Sequence, residues 1–286
     1  MNRRLAFLGP YLLLLPSILF LLVFFAWPMV QALLLAFQTP EGAFALGPVQ
    51  QMAGDVAFKD ALRNTILLVL LIVPLQATLA LIMALLIQAG LRGSGLFLYT
   101  WTIPLGISDL AAGIVWLSIF TERGYLNSFL HDVGLIQRPI PILSYENPQG
   151  LFLAVVVAET WRATAIVMVI LVAGLQMIPR DYVEAAEVFG AGLWQRIRYV
   201  ILPLLRPSLQ VALILRTILA FQVFAVVIAL AGRVMPVLAG EAYFWYGSYR
   251  NANVAAAYAV LILFVSIANT VLYLRALRTR EEEVAL

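Results

Sequence analysis

No charged residue occurs between Arg4 and Glu41, a run longer than the ~20 apolar residues needed to cross a bilayer. A run of this kind is stable only where the solvent is itself apolar, and there the backbone has to satisfy its own hydrogen bonds as helix. Comparable runs return at Leu62–Gln88, Leu96–Ile119, Gly150–Gln176, Ser208–Ala231 and Val254–Leu274. With Gly9–Phe37 they make six expected spans in one transmembrane domain covering residues 1–286, an all-α integral membrane fold. Composition excludes a soluble alternative: 63% of residues are apolar and 12% charged, against roughly 45–50% and 25% in globular chains. Arg3-Arg4 before an apolar run has the outline of a signal peptide. The run is nevertheless too long for an h-region, contains Pro16 and Pro28, and offers no small-residue cleavage site before Gln38, so an uncleaved anchor is expected.

Basic residues set the expected orientation. With the N-terminus inside, the inner segments hold Arg3, Arg4, Arg92, Arg180, Arg196, Arg198, Arg206, Arg275, Arg278 and Arg280. The outer loops hold Lys59, Arg63, Arg123, Arg138, Arg233 and Arg250, and ten against six favours cytoplasmic termini. The net charge of +3 is spread along the chain and gives no nucleic-acid footprint. The absence of Cys removes disulfides and thiol ligands, and the lone His131, beside Asp132, has no metal-ligating neighbours in sequence. Tyr125, Tyr145, Tyr243, Trp245 and Tyr249 in the outer loops read either as an interfacial aromatic belt or as a docking surface.

Residues 177–203 form a polar island between the fourth and fifth spans. Pro179 opens it, Asp181 complements or caps a helix N-terminus, and Ala185-Ala186 favours helix. Gly190 can adopt positive φ and end that helix. A second short helix, Leu193–Ile201, is expected to place Trp194, Ile197 and Ile201 on one face and to stop at Pro203. Glu184 offers a carboxylate and the alanines permit close approach of a partner.

Charges at membrane depth are costly and face a bundle interior or an aqueous cavity. Glu159 and Arg162 lie three apart on one helical face and can neutralise one another, while Asp109 and Arg216 can pair across the bundle. One reading is structural neutralisation. The other is a polar solute path lined by Asp109, Trp116, Glu159, Trp161, Arg162, Arg216 and Gln222, a mixture of hydroxyl-binding groups and flat aromatic faces suited to carbohydrate.

The spacing Glu184-Ala185-Ala186, three residues, Gly190, nine residues, Val200-Ile201-Leu202-Pro203 resembles the EAA loop of membrane-spanning subunits of ABC importers, with Val200 in place of Ile. Ala158-Glu159-Thr160-Trp161-Arg162 and Val172-Ala173-Gly174-Leu175-Gln176-Met177-Ile178-Pro179 are similar to the approach to that loop in carbohydrate-type permeases. Pro10-Tyr11, Leu15-Pro16 and Phe24-Phe25-Ala26-Trp27-Pro28 resemble the first span of the maltose, trehalose and glycerol-3-phosphate first permeases, and Arg216-Thr217 with Ala220-Phe221-Gln222-Val223-Phe224 resembles their fifth. Phe189 and Ala225 stand where Asp is usual, and Leu230-Ala231-Gly232-Arg233 replaces Thr-Gly-Gly-Pro.

The resemblance implies a MetI-like permease core in the cell (inner or plasma) membrane, in which Asp181, Glu184, Ala185, Ala186, Gly190, Leu202 and Pro203 form the ATPase-coupling loop. It further implies a second homologous permease subunit, two ATPase subunits and an extracytoplasmic solute-binding protein, with a sugar or sugar phosphate as cargo. The chain has no Gly-x-x-x-x-Gly-Lys-Ser/Thr loop, so no cofactor is expected on it and ATP with Mg belongs to the partners. A secondary carrier or channel, a permease for a non-sugar solute and an ATPase-binding scaffold are the alternatives. No catalytic constellation suggests a membrane enzyme.

Overall fold

The computed structural model describes residues 13–39 and 41–277. Arg3, Arg4, Pro10, Tyr11, Arg278 and Arg280, used above for orientation and resemblance, lie outside them, as does the beginning of the expected first span. The helices in chain order are α1 (Leu13–Leu35), α2 (Gly47–Ala53), α3 (Phe58–Gln88), α4 (Ser94–Thr102), α5 (Asp109–Phe120), α6 (Tyr125–Asp132), α7 (Pro148–Gln176), α8 (Arg180–Val188), α9 (Leu193–Phe221), α10 (Ala225–Ala231), α11 (Leu238–Gly247) and α12 (Ala252–Ala276). Five of these, α1, α3, α7, α9 and α12, are long and apolar enough to cross a membrane. Their bounds extend the expected spans by a few residues at several ends.

Two expected spans are corrected. The third, Leu96–Ile119, is a bent pair: Ser94–Gly106 and Asp109–Asp132 meet at 105°. Pro104 and Gly106 close the first limb in a 3-10 turn, Ile107 is extended, and Ser108 caps the second, its Oγ accepting from Ala111 N at 3.2 Å. Asp109 therefore starts a helix, where its carboxylate meets the positive dipole end. The fifth, Ser208–Ala231, begins earlier and breaks earlier. α9 runs from Leu193 to Phe221, and α10 is a separate helix beyond Gln222–Phe224. No Gly or Pro marks that break. It lets α10 lie against α5, where Gly113 has no side chain; a Cβ there would sit 2.6 Å from Ala229 Cβ and 3.2 Å from Val226 Cα.

Nor does Pro203 end a helix. A π turn at Ile197–Ile201 immediately precedes the segment it opens, and another at Leu22–Ala26 precedes Pro28 in α1. Proline lacks an N–H, and its ring clashes with the carbonyl four residues back. Widening the preceding turn accommodates both and keeps the helix continuous.

The chain divides into two compact units. One comprises the segment ending at Phe58 together with Glu241–Leu261. In it Asn253 Nδ2 donates to the carbonyls of Leu35 (3.1 Å) and Gln38 (2.8 Å), holding the end of α1. Asp55 Oδ2 accepts from Trp245 Nε1 at 2.7 Å and from Tyr258 Oη at 2.8 Å, so Trp245, one of the outer-loop aromatics, makes a contact internal to this unit.

The other unit comprises Lys59–Gly240 with the segment from Ile262. Its apolar interior includes two clusters of described residues. One gathers Leu68 and Ile72 of α3, Leu151–Ala158 of α7 and Val226–Ala231 of α10. The second gathers Ala80–Ala84 of α3, Val167–Leu175 of α7 and Ile201–Ala212 of α9, with Ile178, Val183 and Ile197 packed against it. Gly174 brings α7 onto α9 in this second cluster, since a Cβ there would lie 2.5 Å from Ser208 Cβ. Along α3 and α7, the two helices that contribute to both clusters, a short polar stretch separates them.

Candidate functional site

That polar stretch is a chain of charge pairs. Arg162, the central residue of α7, donates from Nε to Glu159 Oε2 (2.9 Å) and from Nη2 to Glu159 Oε1 (2.6 Å), a bidentate pair. Its Nη1 reaches Asp109 Oδ1 at 2.7 Å. Glu159 Oε1 also accepts from Arg216 Nη2 of α9 at 3.3 Å. Arg216 Nε donates to Gln76 Oε1 on α3, and Gln76 Nε2 donates onward to the Glu159 carbonyl at 2.7 Å. Four helices are thus laced together by five side chains. Two carboxylates and two guanidiniums make the layer formally neutral.

Burial grades along the chain. Gln76, Glu159 and Arg216 are fully buried, the Arg162 side chain is 13% exposed and that of Asp109 55%. The pairing thus differs from the expected one: Arg162, not Arg216, takes Asp109, because Glu159 lies between the two arginines and occupies Arg216. Trp116 and Trp161 meet edge to face, ring centroids 6.0 Å apart, beside this layer in sequence and partly buried. Gln222 does not join them. It caps the end of α9, exposed, in the break before α10.

Sequence reading missed Gln76. It is the one carboxamide in the apolar run Ile66–Ile87, and such isolation in a span was the available signal. Three buried donors in or near the layer, Arg216 Nη1, Thr160 Oγ1 and Trp116 Nε1, have no acceptor among the described residues. They leave capacity for additional hydrogen bonds in an otherwise closed network.

A second candidate region is the hairpin between α7 and α9. α8 begins at Arg180 after Pro179, and Asp181 sits in its first turn, where it complements the dipole without making a side-chain cap. At its other end Ala191 N donates to Ala186 O and Gly190 N to Glu187 O, both at 2.9 Å, with Gly190 at φ +78°. That is a Schellman ending, which requires the left-handed conformation glycine adopts at little cost. Gln195 Oε1 accepts from Gly192 N at 2.8 Å to start α9, and Arg196 pairs with Glu187 across the turn.

The hairpin is attached on one side only. Ile178, Val183, Ile197 and Ile201 pack on the second apolar cluster, so the hairpin shares a core with α3, α7 and α9. Glu184, Ala185 and Gly190 are exposed, Ala186 half-buried, and Phe189 is 90% exposed. Leu202 and Pro203 belong to the continuous α9, half-buried and exposed respectively. Trp194, expected on one face with Ile197 and Ile201, lies on the first turn of α9 and is 67% exposed, whereas Ile197 and Ile201 join the cluster.

Residues 58–279 match the family model described as binding-protein-dependent transport system inner membrane component. The chain is 34% identical over 240 residues to the trehalose transport system permease protein SugA of Mycobacterium tuberculosis, a match covering 81% of this chain and 74% of that protein. It is 32% identical over 214 residues to the lactose transport system permease protein LacF of Rhizobium radiobacter, covering 73% and 71%. With the sn-glycerol-3-phosphate transport system permease protein UgpA of Agrobacterium fabrum the identity is 29% over 284 residues, covering 95% of each. Among solved structures, a chain of a bacterial ABC transporter involved in the import of the acidic polysaccharide alginate superposes with a TM-score of 0.79 at 21% identity, covering 97% of this chain and 99% of that one. The all-helical fold is therefore that of an ABC importer permease.

Proposed function

Because the chain belongs to the family of binding-protein-dependent transport system inner membrane components, we propose that it is one permease subunit of an ATP-driven importer for a carbohydrate-class solute. Its relatives are permeases of trehalose, lactose and glycerol-3-phosphate systems. The reading places it in a multi-pass arrangement with cytoplasmic termini, beside a second homologous permease, above two ATPase subunits that hold ATP and Mg, and beneath a solute-binding protein. This subunit carries out no bond chemistry; hydrolysis resides in the ATPases.

The observation that carries the coupling role is the one-sided attachment of the hairpin. Its exposed face, Glu184, Ala185 and Phe189, is presented outward, while Val183 and Ile197 tie it to the cluster between α3, α7 and α9. A displacement applied to α8 is transmitted to those helices, because a close-packed cluster shifts as a unit and does not deform continuously. The π turn keeps α9 continuous from the hairpin to Arg216. Motion at the coupling face thereby reaches the polar layer through one helix. Within that layer, Asp109, Arg162, Trp116 and Trp161 are the groups proposed to meet a solute, since they retain exposure; Glu159 and Arg216 are proposed to hold them in place. Gln222 stands apart from that layer and is proposed to meet the solute separately, at the end of α9.

Purification from the native membrane in mild detergent, with mass spectrometry of the accompanying chains, tests this. Co-recovery of an ATPase, a second permease and a solute-binding protein is expected, and sugar carried by the binding protein identifies the cargo. Recovery of this chain alone, under conditions that preserve other multisubunit transporters, would favour a carrier or channel.

A further inference from the structure

We propose that the groove between the end of α3 and the start of α4 is a binding site for an anionic phospholipid. The cavity has a volume of about 170 Å³ and an apolar lining of Leu86, Ile87, Leu91 and Phe97, joined by Arg92 and Ser94. It exists because the connection is short and sharply turned: Gly90 and Gly93 adopt φ of +67° and +88°, a conformation costly for other residues. Leu86 and Leu91 are 47% and 58% exposed, so the lining is open at its side.

Arg92 selects among occupants. It is exposed and has no carboxylate or hydrogen-bond partner among the described residues. A guanidinium at the end of a span, next to an apolar floor, complements an amphiphile with a phosphodiester head and acyl tails. A soluble phosphate would make no use of the floor, and a zwitterionic lipid gains less from the cation. Ile87 and Phe97 also pack on the cluster that holds Val183 and Ile197. The lipid thus lies at the same end of the bundle as the coupling hairpin. Its assignment to the cytoplasmic leaflet rests on the orientation proposed above; the binding itself does not.

The test uses the full complex, delipidated in detergent and then supplied with phosphatidylglycerol or phosphatidylcholine, with retained lipid counted by native mass spectrometry. Phosphatidylglycerol is expected to be retained in preference. Arg92→Ala is expected to lower its occupancy about fivefold, the contribution of one basic residue near a charged surface. Arg92→Lys should largely restore it, and Leu86→Trp, which fills the floor, should reduce retention of both lipids. Equal retention of the two lipids, or unchanged phosphatidylglycerol occupancy in Arg92→Ala, overturns the proposal. So does a photo-crosslinker at Leu91 that traps a protein chain in place of lipid. The measurement needs no nucleotide and no uptake, so its failure leaves the permease reading intact, whereas loss of the partner subunits would count against that reading alone.

Discussion

Replacing Glu159 by Ala is expected to cost about 3–5 kcal/mol of stability, the range for removing one partner of a buried ion pair. Arg162 loses two hydrogen bonds and Arg216 its only carboxylate among the described residues, leaving a fully buried guanidinium with Gln76 as its one side-chain acceptor among them. Thermal unfolding of detergent-purified protein, followed by size-exclusion recovery, measures the loss. Asp109→Asn is the internal control. Its partner contact is 2.7 Å, but its side chain is 55% exposed, and pairs of that kind contribute about 0–1 kcal/mol. The double variant Glu159→Leu with Arg216→Leu removes both buried charges and should be less damaging than Glu159→Ala. Equal losses at positions 109 and 159 would show that the gradient of burial does not govern the network.

Gly190→Pro is expected to abolish ATP-driven uptake while leaving the amount of protein in the membrane near normal. Proline fixes φ near −65°, whereas Gly190 sits at +78° and its N–H is donated to Glu187 O. The combined incompatibility is about 3 kcal/mol or more, which lowers the population of the native turn more than a hundredfold. The spans are untouched, so insertion should survive; uptake of labelled sugar and membrane levels, measured side by side, separate the two effects. Gly190→Asn should retain much of the activity, since Asn tolerates the left-handed region. Normal uptake by Gly190→Pro would remove the hairpin from the coupling path.

Much of the architecture was legible because the dominant signal, an apolar run of spanning length, is a one-dimensional property. Spans over α1, α3, α7 and α12 follow from it with errors of only a few residues. The hairpin was legible for a different reason: Gly190 and the Glu184–Phe189 segment act locally, and a helix ending of this type is written in a few adjacent residues. The misreadings share a cause. Hydropathy does not distinguish a straight span from the bend at Pro104–Ser108, although Pro, Gly and Ser stood there to be read. Pro203 was read as a stop because the turn that relieves it, Ile197–Ile201, has no compositional mark. The break at Gln222–Phe224 arises from the packing of α10 on Gly113 of α5, a contact more than one hundred positions away in sequence. Pairing in the polar layer was half-legible: the Glu159–Arg162 spacing is local, but which arginine reaches Asp109 depends on how α5, α7 and α9 stand together.

The formal neutrality of that layer has an electrical consequence. A single unpaired charge carried through the full membrane field exchanges about 2.3 kcal/mol with a potential of 100 mV. Asp109, Glu159, Arg162 and Arg216 pair with one another, so a rearrangement that shifts them together transfers no net charge and does no work against the field. Collapsing the membrane potential with an ionophore should leave the turnover of reconstituted complex unchanged at constant nucleotide. Neutralising Asp109 alone would turn the same layer into a voltage-sensitive element.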